Sequence, residues 1–154
     1  MLRYLDVQNI LDKNDLILQE SGCVGSENER GNTYMKKIGI VTDSHSSISQ
    51  EEAEKLGIFV LPMPFYIDGE CYYESVTLSR ELFFEKLAAG ADITTSQPSP
   101  TAVMEIWDKA LEQFEKILYM PISSGLSGSY ETAMMLAKDE AYEGRVLVVD
   151  DGQV

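Results

Sequence analysis

Hydroxyl side chains are the chemistry this sequence offers. They gather in three short tracts, Thr42-Asp43-Ser44-His45-Ser46-Ser47, Thr94-Thr95-Ser96-Gln97-Pro98-Ser99 and Ser123-Ser124-Gly125-Leu126-Ser127-Gly128-Ser129. Together the tracts offer many neutral hydrogen-bond donors and almost no group able to act as acid, base or metal ligand. That is the profile of a site that holds an anion rather than transforms it. The third tract follows the apolar run Ile117 to Ile122 and leads into apolar residues at helical spacing, Leu126, Tyr130, Ala133, Met134 and Ala137. It reads as a turn between a buried strand and a helix that lies on the sheet. At such a junction backbone N–H groups and the positive end of the helix dipole point outward, which favours a carboxylate or a phosphate. Helix capping by Ser127 or Ser129, with the glycines only making the bend, is the alternative use of the same residues.

A nucleophile is the competing chemistry. Gly125-Leu126-Ser127-Gly128-Ser129 comes close to the nucleophile elbow G-x-S-x-G, but Ser occupies the fifth position and His45 is the one histidine in the chain. A serine-dependent acyl hydrolase is therefore the runner-up, and binding is favoured over catalysis. No catalytic residue and no metal ligand is assigned. His45 reads as an exposed loop histidine. Asp43 either orients ligand hydroxyls or accepts backbone N–H bonds in a turn. No G-x-G-x-x-G follows the first strand, so a dinucleotide is not expected and no cofactor is assigned.

Composition narrows the classes further. The 154 residues, 44% hydrophobic and 25% charged, suffice for one soluble domain with a real core. With 26 acidic against 12 basic residues and a formal net charge of -14, the chain is a poor match for nucleic acid, whose phosphates need clustered Lys and Arg. Cys23 and Cys71 lie in different segments without metal-ligand spacing, which fits a reducing, cytoplasmic setting better than a disulfide framework or a zinc site. The sequence has no run of eighteen apolar residues and no signal pattern at its start, so neither a membrane span nor secretion is expected.

Alternating strand and helix signals must position the tracts. Residues 1–34 read as an extension or linker, with a weakly amphipathic run from Tyr4 to Leu18 followed by a polar stretch, and the domain is expected over 35–154. Ile38 to Val41 reads as the first strand. Ser49-Gln50-Glu51-Glu52 is a capping-box pattern for a helix that stops at Gly57. Ile58 to Ile67, broken by Pro62 and Pro64, reads as a strand with an irregular continuation, and Asp68-Gly69 as a hairpin turn to Glu70-Cys71-Tyr72-Tyr73. Ser79 opens a helix through Leu82, Phe83, Leu87 and Ala88, closed by Gly90. Ser99 with Pro100 starts another, with Val103, Ile106, Trp107, Ala110, Leu111 and Phe114 as its buried face. Trp107 and the pair Met134 and Met135 are expected in the core. Arg145 to Asp150 is the last strand. The architecture these signals predict is α/β, a mainly parallel sheet with helices on both faces.

Taken together, Lys37-Ile38-Gly39-Ile40-Val41-Thr42-Asp43-Ser44, Thr94-Thr95-Ser96-Gln97-Pro98-Ser99-Pro100 and Ser123-Ser124-Gly125-Leu126-Ser127-Gly128-Ser129-Tyr130 resemble the DegV family, the fatty-acid-binding proteins also called FakB. The resemblance spans Met35 to Asp150. It implies a cytoplasmic, non-enzymatic carrier that holds a long-chain fatty acid between two α/β domains and presents its carboxylate to a partner kinase. On the family pattern the carboxylate is bound by hydroxyls that carry over to Thr94, Thr95 or Ser96 and to Ser124 or Ser127. The acyl chain is expected over Phe65 to Ile67 and Leu126. The family's second domain supplies further head-group residues, including a histidine and an arginine. This chain therefore reads as a DegV-like amino-terminal domain without the carboxyl-terminal one, and a truncated domain with no complete ligand site is the third reading. The family's usual V-D-S is Val149-Asp150-Asp151 here, and His45 stands where Thr is common.

Overall fold

A computed structural model describes residues 36–73 and 76–150. The expected extension over residues 1–34, Cys23 and Asp151 lie outside the described residues.

Four strands form a parallel sheet: β1 (Lys36–Asp43), β2 (Phe59–Leu61), β6 (Phe114–Met120) and β7 (Val146–Val148), in the order β2-β1-β6-β7. Side chains alternate across the strands, and the two faces are filled by different helices. On one face Val41, Ile117, Tyr119, Val146 and Val148 pack beneath α3 (Pro100–Leu111) and α4 (Ser129–Leu136). On the other, Ile40, Val60 and Met120 pack with Ala53 of α1 (Gln50–Leu56). The expected parallel sheet with helices on both faces is present.

The remaining strands, β3 (Pro64–Ile67), β4 (Glu70–Tyr73) and β5 (Ile93–Thr95), make a separate antiparallel sheet in the order β4-β3-β5, accompanied by α2 (Arg80–Ala88). The broken strand expected over Ile58 to Ile67 is thus two strands in two sheets. Pro62 has no N–H to give to a ladder, and the chain changes sheets there.

Local chemistry accounts for the element ends. Ser49 Oγ accepts from Glu52 N–H while the Glu52 carboxylate accepts from Ser49 N–H, and Gly57 closes α1 with φ 66. Asp68 and Gly69, with φ of 51 and 84, make the hairpin turn between β3 and β4. Ser79 caps α2, and Ser99 with Pro100 opens α3.

The helix expected to reach Phe114 ends at Leu111, and Phe114 opens β6 instead. Its ring fills the space beside Gly39 on the neighbouring strand, where a Cβ would come within 2.7 Å of it.

Trp107 is wholly buried between Tyr119 and Tyr142, with ring centroids 5.4 and 5.2 Å away and edge-to-face geometry. The Tyr142 hydroxyl donates to Asp108 Oδ1 at 3.0 Å. Burial, then the bond to Asp108 and the nearby charges of Asp108 and Asp139, push Tyr142 up from 10.0 to about 12. Burial and the charge of Asp43 push Tyr119 upward as well. A folded-state pKa above the unfolded one means that this part of the stability is present below pH about 10 and lost as pH rises toward about 12. Tyrosinate absorbance during alkaline titration should therefore show Tyr119 and Tyr142 ionising last, together with unfolding. Tyr142→Phe should remove part of that late step.

Candidate functional site

In the parallel sheet β1 leads to β2 on one side while β6 leads to β7 on the other, so the winding reverses between β1 and β6. Ligands of open α/β sheets bind outside the carboxyl ends of the strands at such a reversal. Two of the hydroxyl tracts meet there. Thr42 Oγ1 donates to Met120 O at 2.9 Å, tying the ends of β1 and β6. Asp43, 1% exposed, accepts from His45 N–H at 3.0 Å and from Ile122 N–H at 2.7 Å. Its carboxylate thus holds two loops together, which is the turn-building use of this residue. His45 is half-buried rather than exposed, its Nδ1 3.4 Å from Asp43 Oδ1.

The loop after β6 is satisfied mostly from within. Leu126 and Ser127 N–H both donate to Ser123 O, at 2.9 and 3.2 Å, and Gly125 N–H reaches Ser123 Oγ at 3.4 Å. Ser124 N–H donates to Asp150 Oδ1 at 3.3 Å, and Ser124 Oγ donates to Asp150 Oδ2. The outward row of N–H groups expected of this turn is therefore largely spoken for.

The cap of α4 also differs from expectation. Its N-cap is Gly128, with no side-chain cap, while Ser127 Oγ accepts from Ser129 N–H at 3.2 Å and lies 2.9 Å from Ser129 Oγ. Ser129 is buried, so its hydroxyl needs a partner and Ser127 is the one at hand. With Ser129 donating, the half-exposed Ser127 keeps its own proton for an outside acceptor.

Leu126 precedes the helix and is 61% exposed, and Met134 and Met135 are exposed at 36% and 73%. Of the five apolar residues expected on the sheet, Ala133 is buried, and Tyr130 and Ala137 are half-buried. The Met pair is not core.

Thr94 and Thr95 lie in β5, not in a loop, because β3 offers them a partner: Phe65 registers with Thr95 and Tyr66 with Thr94. Successive strand residues face opposite ways, so the two threonines cannot serve the same ligand face. Thr95 shares its face with half-buried Phe65, which packs on Phe83 of α2. Just beyond the strand, Ser96 N–H donates to Pro64 O at 3.3 Å and Ser96 Oγ to Gln97 O at 3.2 Å.

This edge meets the serine loop through Gln97: a Cβ on Gly128 would stand 3.2 Å from Gln97 Oε1. A second link runs from Met63 N–H to Ser44 Oγ, at 3.2 Å. The three tracts thus adjoin, with Thr94, Thr95, Ser96 and Ser124 exposed and Ser127 half-exposed. Sequence reasoning missed Asp150 as a partner of Ser124. The only available signal was an acidic residue at the end of the strand next to β6.

Among the described residues no group of three or more His, Cys, Asp or Glu side chains could hold a metal ion, and no helix is long and apolar enough to cross a membrane. The Ser127 hydroxyl is engaged with Ser129, not with an imidazole or a carboxylate.

The family model of DegV, described as an uncharacterised protein family, matches residues 37–154. A DegV domain-containing protein of Caldanaerobacter subterraneus is 37% identical over 116 residues, covering 75% of this chain and 41% of that protein. A DegV domain-containing 15.5 kDa protein of Staphylococcus aureus is 32% identical over 120 residues, covering 78% of this chain and 84% of that one. Among solved structures, a DegV family protein from Thermus thermophilus described for its fatty acid binding superposes with a TM-score of 0.66 at 36% identity, over 74% of this chain and 40% of that one. DegV of Bacillus subtilis, described as a fatty acid binding protein, gives 0.64 at 26% identity, over 75% and 40%. The chain spans about 40% of the length of these two structures and of the Caldanaerobacter relative. The family model matches most of the chain, the Staphylococcus aureus relative is covered over 84% of its length, and the chain belongs to the DegV family.

Proposed function

We propose that this chain binds a long-chain fatty acid by its carboxylate, with the hydroxyls of Thr95, Ser96, Ser124 and Ser127 around the head group and Thr94 on the far side of the strand. The observation that carries the reading is the meeting of a hydroxyl-lined strand edge with a serine loop at a sheet reversal, with Gln97 against Gly128. Neutral hydroxyls stabilise a carboxylate without a salt bridge, each bond to the charged group contributing about 1.5–3 kcal/mol. Half-buried Phe65 beside Thr95 offers apolar surface where an acyl chain would leave the head group. Solved relatives described as fatty-acid-binding support the same ligand.

In the whole carrier a second α/β domain completes the pocket, and the acid is presented in the cytoplasm to a fatty acid kinase. The test is equilibrium dialysis of the delipidated chain against labelled oleate below its micelle concentration. Saturable binding supports the reading, and its absence at protein concentrations that keep the fold intact removes it for this chain.

A hydrolase is the rival. The Ser127 hydroxyl has no base among its partners, and an unactivated serine is a weak nucleophile. Activated acyl esters should therefore turn over no faster with the chain than in buffer. Hydrolysis abolished by Ser127→Ala would replace the binding reading with an enzymatic one.

A further inference from the structure

We propose that Asp150 is an internal competitor for the head-group site, holding the donors of Ser124 until a fatty acid carboxylate displaces it. The proposal rests on the fatty-acid reading above. An aspartate side chain ends in the same CH2–CO2– group that ends a fatty acid. The Asp150 carboxylate is bound at two points, one oxygen on Ser124 N–H at 3.3 Å and the other on Ser124 Oγ. Those are the two donors this serine could give to an outside carboxylate, and while Asp150 holds them Ser124 presents only lone pairs to the site.

Two carboxylates cannot share these donors. Like charges at contact distance repel. Asp43 on the other flank of the same loop is different in kind. It is 1% exposed and bound to Ile122 and His45 amides, so it builds the loop. Asp150 is half-buried and follows the three-residue edge strand β7. Ser124 is exposed, which leaves room for the exchange.

Removing the competitor should tighten binding, and the gain should shrink without the Ser124 hydroxyl. In dialysis with labelled oleate, Asp150→Ala and Asp150→Asn are expected to bind about tenfold more tightly than the unaltered chain. In the presence of Ser124→Ala, which leaves Asp150 only the backbone N–H of residue 124 to hold, Asp150→Ala should bring a smaller gain. Glu112→Gln removes one negative charge at an exposed position far from the loop and should leave affinity unchanged, which separates competition from the general repulsion of an anion by an acidic protein.

A ligand-free readout accompanies it: amide hydrogen exchange at Ser124 should accelerate in Asp150→Ala while exchange at Leu126, bonded to Ser123 O, holds. Oleate binding by the unaltered chain that is unchanged or weakened in Asp150→Ala overturns the competitor and leaves the fatty-acid reading standing. Unchanged exchange at Ser124 also overturns it. No oleate binding by any of these proteins removes the fatty-acid reading and the competitor together.

Discussion

Oleate affinity is expected to fall at least about a hundredfold when Thr95→Ala and Ser124→Ala are combined, since each hydroxyl bond to a carboxylate is worth about 1.5–3 kcal/mol and two are lost. The two residues come from different sheets, Thr95 from the edge strand β5 and Ser124 from the loop after β6, so neither change should disturb the other's local structure. Thr95 is paired with Ser124 because it lies on the Phe65 face of the small sheet, where apolar surface continues from the hydroxyl. Thr94→Ala with Ser124→Ala should lose only the serine's share, because Thr94 points to the opposite face. Affinities from dialysis, with circular dichroism to show an intact fold, decide the matter. Equal losses in the two double variants would move the head group off the Phe65 face, and no loss in either would move it away from both tracts.

Trp107→Ala should destabilise the domain by about 3–5 kcal/mol, a large part of the stability of a domain this size. The indole is wholly buried and stacks edge-on against both Tyr119 and Tyr142, so its removal opens a cavity at the junction of α3, β6 and the turn before β7. Trp107→Phe should cost less than Trp107→Ala for two reasons. Phenyl keeps an aromatic edge against each tyrosine, and the buried indole Nε1 has no hydrogen-bond partner to lose. Urea midpoints of the two variants check this ranking. Near-equal midpoints would mean that α3 settles inward and closes the gap.

Features written in adjacent residues were legible before any coordinates. The Ser49–Glu52 capping box, the Gly57 stop, the Asp68-Gly69 hairpin and the Ser99-Pro100 helix start each depend on contacts within a few residues, and each formed as read. Several of the misses needed a distant partner. Ile93-Thr94-Thr95 looks polar and loop-like until β3 supplies its hydrogen bonds. Helical spacing carried Leu126 across a turn that has no helix in it, and nothing in α4 itself shows that Met134 and Met135 meet solvent. Phe114 fits either the end of α3 or the start of β6, and the opening beside Gly39 chose the strand.

At the site, the sequence located the hydroxyls but not their commitments. Asp150 lies 26 residues from Ser124, and only the pairing of β6 with β7 brings the two ends together.

The small sheet has strands of three and four residues, and the helix beside it, α2, has no fully buried residue. Its anchors are few, chiefly Ile67, Leu78 and Met63. Such a unit opens at a lower free energy than the parallel sheet, whose strands are clamped between helices, and amides of β3 and β5 will exchange through local opening while those of β1 and β6 wait for global unfolding. A ligand gripped by Thr95 on one sheet and Ser124 on the other would act as a staple across this weak joint. Its binding free energy would be added to the opening free energy of the small sheet by mass action. Saturation would then make the least stable part of the domain resist opening, so that ligand occupancy becomes readable as the rigidity of a segment the ligand touches at only one end.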